Sequence, residues 1–466
     1  MKWSRILWLL LAISVYQKAQ AQTATVTWTT MHQTMDGFGG QTWIYADSLT
    51  LTQAAKFFSP SPGIGLQFVR TANTYDGSIP DLITLRNAGA LGAAIELGLQ
   101  SPPCTLKHSY VDLNEPCSDP SFASGAFYDG TAGTSGSCFA NGSLPAAYST
   151  WATYIVNYVN VLSAATGYPV TYLDVQNESG ITKSALGACI LTAANYDTFI
   201  GTYLGPALAA ASWNGAQKAS PKIMMASYED WFQYNGIVSA CLNDSTCAPY
   251  VSIVAGHSPS TYVPTAFAIP KSMHIWASEI DAPSGSYDSS CSGSGLQLAT
   301  SVHNYLVNAN VSGYEWWELA YPSTNSGLTD SSFNTSCRFW MQGNWSKFIS
   351  PGWVRVDTTT NPQNGVYVTA FKSPDESSYS IVAINKSSSA ISQAFKLGEF
   401  PASDEVIPWV TSSTLNLMAQ PSVEVASDSF SFSLPAESVT TFVGKTNGGS
   451  AGSHVAPPSG LVTSVN

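Results

Sequence analysis

Two acidic side chains stand where carboxyl chemistry would be most useful. Glu178 closes the run PVTYLDVQNES, and Glu279 closes MHIWASEI; each follows an apolar, strand-like stretch. Asn177-Glu178 alone would pass for a polar turn. A second carboxylate at a matching strand end changes the reading. Two carboxyl groups facing one bond can divide the work, one protonating a leaving oxygen while the other attacks carbon or activates water. A separation of about 5–5.5 Å suits cleavage of a glycosidic bond with retention, and a wider one inversion; spacing along the chain leaves both open. Asp174 lies inside its strand run and is a weaker candidate, and Glu96, in AAIELGL, suits an interior polar position. Glu318, after YEWW, ends another strand and is a candidate substrate contact.

The elements that would have to position these groups repeat along the chain. GLQFVRT, AAIELGL, VTYLDV, KIMMAS, VSIVAGH, HIWASE and GYEWWEL read as strands, with amphipathic helical patterns such as YSTWATYIVNYVNVLSAATG and LQLATSVHNYLVNANV between several of them. Strand-then-helix order predicts a parallel sheet covered by helices, and a closed (β/α)8 barrel is the economical form for this length. A doubly wound open sheet is the alternative, but no G-x-G-x-x-G follows the first strand. Glu178 and Glu279 are 101 residues apart. Three β/α units of roughly 31–35 residues span about that distance, so VTYLDV as fourth strand makes HIWASE the seventh. Strands 4 and 7 face each other across a barrel mouth.

From about Pro351 the texture becomes short β-branched alternations with turns between them, GWVRVDTT, GVYVTAFKS, SSYSIVAINKS, ISQAFKLG and ESVTTFVGK, which predicts a β-sandwich. The expected organisation is a signal peptide over 1–21, a strand within 22–35 that joins the side module, a barrel over 36–349, a sandwich over 350–445 and a Gly/Ser/Pro-rich disordered tail over 446–466. Lys2 and Arg5 before ILWLLLAISV, then Ala19 and Ala21, form the signal pattern and predict a secreted protein. Eight cysteines then read as disulfide candidates, with only Cys241 and Cys247 close enough to pair from spacing. The net charge of −12, without basic runs, argues against nucleic acid or anionic membrane as partner. Scarce His and no C-x-x-C predict no metal, no cofactor is needed for carboxylate chemistry, and a monomer is the default.

In order along the chain, MDGFGG, VQNE, WASE, YEWW and the tail segments SKFISPGWVRVDTTTNPQNGVYVTAFKS, SIVAINKS and LPAESVTTFV resemble glycoside hydrolase family 30, most closely its xylanase branch. The resemblance runs from about Met35 to Val443 and is densest in the β-module. It implies a barrel fused to a sandwich, with Glu178 as acid/base and Glu279 as nucleophile in a retaining double displacement on a polysaccharide. Asn177 matches an asparagine that hydrogen-bonds the sugar 2-hydroxyl. Arg70 matches an arginine near the nucleophile that could hold it ionised, and His257 a histidine at strand 6. These two, with Trp43 and Trp316 as possible sugar-stacking rings and with Glu318, complete the candidate binding set.

The chain departs from the pattern after strand 8. WWELAYPSTNSGLTDSSFNTSCRFW has no arginine directly after the Trp pair, where glucuronate-specific members carry one, and Arg338 stands late beside Cys337. Glu318 in that place would repel a glucuronate, so dependence on that group is not expected. After strand 3, LQSPPCTLKHS lacks the aromatic often found there, and Cys104 is expected to anchor the insertion through Cys117 or Cys138. Asp281 beside Glu279 would raise the nucleophile's pKa unless it points away or is paired. β-1,4-Xylan is thus the first substrate expected, cut within the chain or released as xylobiose. β-1,6-Glucan, galactan, or binding of a carbohydrate without catalysis are the alternatives.

Overall fold

The computed structural model describes residues 22–446 except 43–48, 74–77, 80, 108–137, 140–143, 180–188, 228–233, 268, 271–272, 321–324 and 399–401. The expected signal peptide, the tail after residue 446, and Trp43 lie outside the described residues.

Strand β1 (Thr23–Thr34) comes first and does not enter the barrel. The barrel closes in chain order from β2 (Gly37–Gln41), β3 (Phe68–Ala72), β4 (Ala94–Gly98), β5 (Val170–Asp174), β6 (Lys222–Ser227), β7 (Val251–Pro259), β8 (His274–Asp281) and β9 (Gly313–Trp317). Every neighbouring pair is parallel, including β2 against β9. All seven strands read from the sequence are present, and VTYLDV and HIWASE are the fourth and seventh of the barrel. The segment YSTWATYIVNYVNVLSAAT lies in the helix Leu144–Thr166, and Gly167 follows its end.

The strand that pattern reading overlooks is GFGGQ, because glycine weakens a strand in isolation. Closeness of packing explains its glycines. A Cβ on Gly39 would lie 2.0 Å from the ring of Phe68, and one on Gly40 2.5 Å from Leu319.

The barrel interior is stratified. A lower layer is apolar: Phe68 stacks on Trp276 at 4.5 Å, Tyr172 meets the same indole at 4.6 Å, and Met224 and Ile253 complete it. Residues two apart on a strand point to the same side, so Arg70 follows Phe68 and Asp174 follows Tyr172 toward the C-terminal end. With Glu96 and Glu315 they form a charged layer with no solvent exposure. Catalytic side chains of a barrel belong above this layer, at the strands' C-terminal ends.

The side module comprises β1 with β10 (Val354–Thr358), β11 (Val366–Lys372), β12 (Ser378–Asn385), β13 (Ile391–Lys396), β14 (Ala402–Thr411), β15 (Met418–Ala419), β16 (Val423–Glu424), β17 (Ser429–Leu434) and β18 (Ser438–Thr446). β1 pairs antiparallel with β10 and parallel with β13, which joins the N-terminal segment to strands more than 300 residues away. Phe395, Phe430 and Phe442 pack at 4.8–5.0 Å in its core, each worth roughly 2 kcal/mol of burial. Asn344, on the helix Cys337–Ser346, ties barrel to sandwich by donating to Trp409 O at 3.1 Å and to Thr441 Oγ1 at 2.9 Å.

Disulfides join Cys241 to Cys247, as spacing predicts, and also Cys138 to Cys189 and Cys291 to Cys337. Cys138 is therefore committed to Cys189 and is not the anchor of Cys104. No described helix is long and apolar enough to cross a membrane.

Candidate active site

The turn after β5 is fixed from both sides. Leu99 N donates to Asp174 O at 3.0 Å, Asn177 N to Leu99 O at 2.7 Å, and Val175 N to Met224 O at 3.2 Å. Gln176 is buried and its amide donates to Gln100 O at 2.7 Å, pinning the turn to the end of β4. Glu178 then adopts φ 42°, a left-handed conformation that costs a non-glycine residue on the order of 1 kcal/mol. That backbone turn is sustained by the bonds around it.

Arg70 is the hub. Its Nη1 donates to Glu279 Oε2 at 2.7 Å and to Gln41 Oε1 at 2.7 Å, and its Nη2 to Asn177 Oδ1 at 2.6 Å and Asp174 Oδ2 at 3.2 Å. Its Nε faces Glu96 Oε1 at 3.5 Å. Several carboxylates outweigh the cost of burying the guanidinium and push its pKa up. Space for it comes from Gly98: a Cβ there would stand 2.7 Å from Arg70 Nε.

His257, on β7, presents Nδ1 to Glu178 Oε1 at 3.0 Å and to Glu279 Oε2 at 3.5 Å. Burial lowers its pKa, so the ring is neutral at neutral pH, and facing two carboxylates it carries its proton on Nδ1. One oxygen of Glu178, one of Glu279 and a ring nitrogen of His257 all lie within 4.8 Å of one another. Burial pushes the Glu279 carboxyl up; the charge of Glu178 adds to this, while His257 and Arg70 pull it down. The contact expected between Arg70 and Glu279 is present, yet burial outweighs it. The charge of Glu279 therefore depends strongly on both of these partners.

Several candidate residues sit elsewhere than a substrate contact would. Arg70 and His257 are buried and touch the carboxylates, so they orient those groups and do not line the cleft. Trp316 is wholly buried: its indole donates to Ser326 O at 2.6 Å and its ring lies 5.3 Å from the Arg338 guanidinium. It packs the barrel wall, because alternation along β9 turns it away from the interior face that bears Glu315. Glu318 is 1% exposed, and neither carboxyl oxygen has a hydrogen-bond partner among the described residues. Burial pushes its pKa up to about 9, with the charges of Glu279 and Asp81 adding. It is therefore neutral at neutral pH, and the charge repulsion expected against a glucuronate is absent.

Arg338 donates to Gly327 O at 2.7 Å and to Asn325 Oδ1 at 2.6 Å, bracing the segment after β9 instead of offering its charge to a ligand. Asp281 acts on Tyr305 and Tyr314, and is not among the charges that raise Glu279. Asn177 is half-buried, and with Oδ1 taken by Arg70 its amide N–H2 is the end left to donate.

Sequence reading missed Gln41 and Glu315 and undervalued Asp174. An acid inside an otherwise apolar strand, as in TYLDV or GYEWW, was the signal available for the two acids. Glu96 occupies the interior position expected of it.

A parallel barrel with an N-terminal strand completing a side sandwich, and two glutamates meeting above strands 4 and 7, define an architecture of glycoside hydrolases. Residues 352–442 match the family model described as the glycosyl hydrolase family 30 beta sandwich domain. The resemblance to glycoside hydrolase family 30 thus holds for the sandwich by sequence and for the whole by fold. Among curated proteins, glucuronoxylanase XynC of Bacillus subtilis (strain 168) is 33% identical over 220 residues, 46% of this chain and 50% of the relative. The match thus spans about half the length of that relative. The family 30 subfamily 8 xylanase Xyn30A of Clostridium acetobutylicum superimposes with a TM-score of 0.74 at 26% identity, covering 91% of this chain and 100% of the other. The catalytic domain of the family 30 xylanase C of Talaromyces cellulolyticus gives 0.75 at 22% identity over 91% and 100%, a likeness of fold.

Proposed function

We propose that the protein is a secreted retaining glycoside hydrolase that cleaves β-1,4-xylan by double displacement and does not require glucuronate side groups. The observation that carries this reading is the approach of Glu178 and Glu279, whose nearest oxygens lie within 4.8 Å. So close an approach suits direct attack on carbon by one of the two carboxylates.

In the first step Glu279 attacks the anomeric carbon, the glycosidic C–O bond breaks, and Glu178 gives its proton to the departing oxygen. In the second, water gives a proton to Glu178 and attacks the same carbon, and the ester bond to Glu279 breaks. Esterification of Glu279 removes a negative charge beside Glu178, which favours its switch from acid to base. Asn177, with its oxygen held by Arg70, directs an N–H toward the sugar 2-hydroxyl. The choice of xylan rests on the similarity to xylanases; independence from glucuronate rests on the lack of an arginine between Trp317 and Cys337.

Purified protein would be incubated with neutral arabinoxylan, glucuronoxylan and β-1,6-glucan, beside Glu178→Gln and Glu279→Gln, and the products chromatographed. Xylo-oligosaccharides from both xylans, first released as the β-anomer by NMR, are expected. Each variant should fall by about 10³-fold or more. Release from glucuronoxylan alone would overturn the side-group reading, and α-anomers the retaining mechanism. No sugar from either xylan would overturn the substrate.

A further inference from the structure

Beneath the catalytic carboxylates, Glu96 on β4 and Glu315 on β9 are wholly buried, and among the described residues no N–H or hydroxyl donates to any of their four oxygens. The two carboxyls lie within hydrogen-bond reach of each other. Two carboxylates cannot hydrogen-bond without a proton between them, so the contact has meaning only if one is an acid. Arg70 cannot neutralise both. Its Nη1 and Nη2 are engaged with Glu279, Gln41, Asn177 and Asp174, and only Nε faces Glu96.

We propose that Glu96 and Glu315 form a proton-sharing acid pair, with Glu315 donating to Glu96 and Glu96 facing Arg70, that positions the arginine fork holding Glu279 and Asn177. The groups facing this pair are Arg70 from β3, Asp174 and Tyr172 from β5, and Glu279 from β8. Burial pushes both acids up, Glu96 to about 8, with the charge of Glu96 adding at Glu315 and Arg70 opposing at both. A second charge on the pair would compete with Glu279 for Arg70. Glu96 and Glu315 are thus positioning residues, acting on the sugar only through Arg70. The catalytic consequence rests on the reading of Glu279 as nucleophile; the shared proton does not.

The test compares wild type with Glu315→Gln, whose amide keeps a donor without a titrating proton, and Glu315→Leu, which removes the donor. Infrared difference spectra at about pH 6 should show a buried carboxylic-acid band in wild type that is weaker in Glu315→Gln, where the neutral acid of Glu318 remains. The melting temperature of wild type should fall relative to Glu315→Gln between about pH 5 and about pH 9, as the pair's second charge is forced on the fold. On xylan, Glu315→Gln should stay within about 3-fold of wild-type kcat/KM and reach higher pH before losing activity, whereas Glu315→Leu should lose about 10-fold or more. An unchanged acid band in Glu315→Gln, or a melting difference that does not vary with pH, would overturn the shared proton. Equal activity losses in the two variants would overturn the positioning role. A wild type that shows the band but hydrolyses no xylan would count against the xylanase reading and leave the proton pair standing.

Discussion

Arg70 and Glu279, on the second and seventh barrel strands, are joined by a 2.7 Å hydrogen bond between residues 209 apart in sequence. One side chain thereby fixes the carboxylate proposed as nucleophile and, through its other nitrogen, the amide of Asn177 at 2.6 Å. The fork exists because Gly98 leaves room for it.

That room is narrow. Gly98→Ala would put a methyl 2.7 Å from Arg70 Nε and force the guanidinium to shift. A stability loss of about 1–3 kcal/mol is expected. A disproportionate fall in kcat should accompany it in the folded protein, because Glu279 and Asn177 lose their common anchor. Denaturant melts beside kcat and KM would check it; unaltered kcat with lowered stability would mean that Arg70 tolerates displacement. Arg70→Lys should lower kcat similarly, since a single ammonium cannot replace the fork.

His257 Nδ1 lies 3.0 Å from Glu178 Oε1 and 3.5 Å from Glu279 Oε2, so the two carboxyls share one N–H. In His257→Phe that donor is gone, and hydrogen bonding no longer favours the ionised forms. The acid limb of the kcat/KM profile should move to higher pH, and activity at neutral pH should fall by about 10-fold or more. A limb that stays in place would show that His257 does not help to hold the carboxylates ionised.

Glu318 links burial to pH-dependent stability. Its folded pKa of about 9 exceeds that of an unfolded glutamate, so its contribution is full at acid pH and is lost as pH rises toward that value. Glu318→Gln should therefore raise the melting temperature at about pH 8, by about 4 °C or more, and change it little near pH 4. The ratio of rates on neutral and glucuronate-bearing xylan should not change, because a neutral Glu318 has no charge to remove. Thermal scans at two pH values and paired rates on the two xylans test both parts.

His303 has the opposite sign. It lies at the seam between the modules, 5.3 Å from the Tyr367 ring, and burial, with the Arg355 charge adding, lowers its pKa to about 3. An unfolded histidine titrates near 6.5, so stability is present above that value and declines as pH falls toward about 3. His303→Phe should flatten this part of the acid limb of the stability profile. A limb as steep as in wild type would exclude His303 as its source.

The strand ends that carry Glu178 and Glu279, the alternation that makes a parallel barrel, and the change of texture at the sandwich are all legible along the chain. These are local properties: period, spacing and turn chemistry are written in adjacent residues. The sequence also marked Glu96 as interior. The strand Gly37–Gln41 escaped because its glycines answer to Phe68 and Leu319, partners that only barrel closure brings near. Tertiary structure decided that Trp316 faces the wall, that Glu318 loses its charge through burial, and that Arg70 draws Gln41, Glu96, Asp174, Asn177 and Glu279 around one guanidinium. Closure of eight strands converts separations of up to hundreds of residues into contacts of a few ångströms. Burial then sets the charge of each group there, and neither effect is present in any short stretch of the chain.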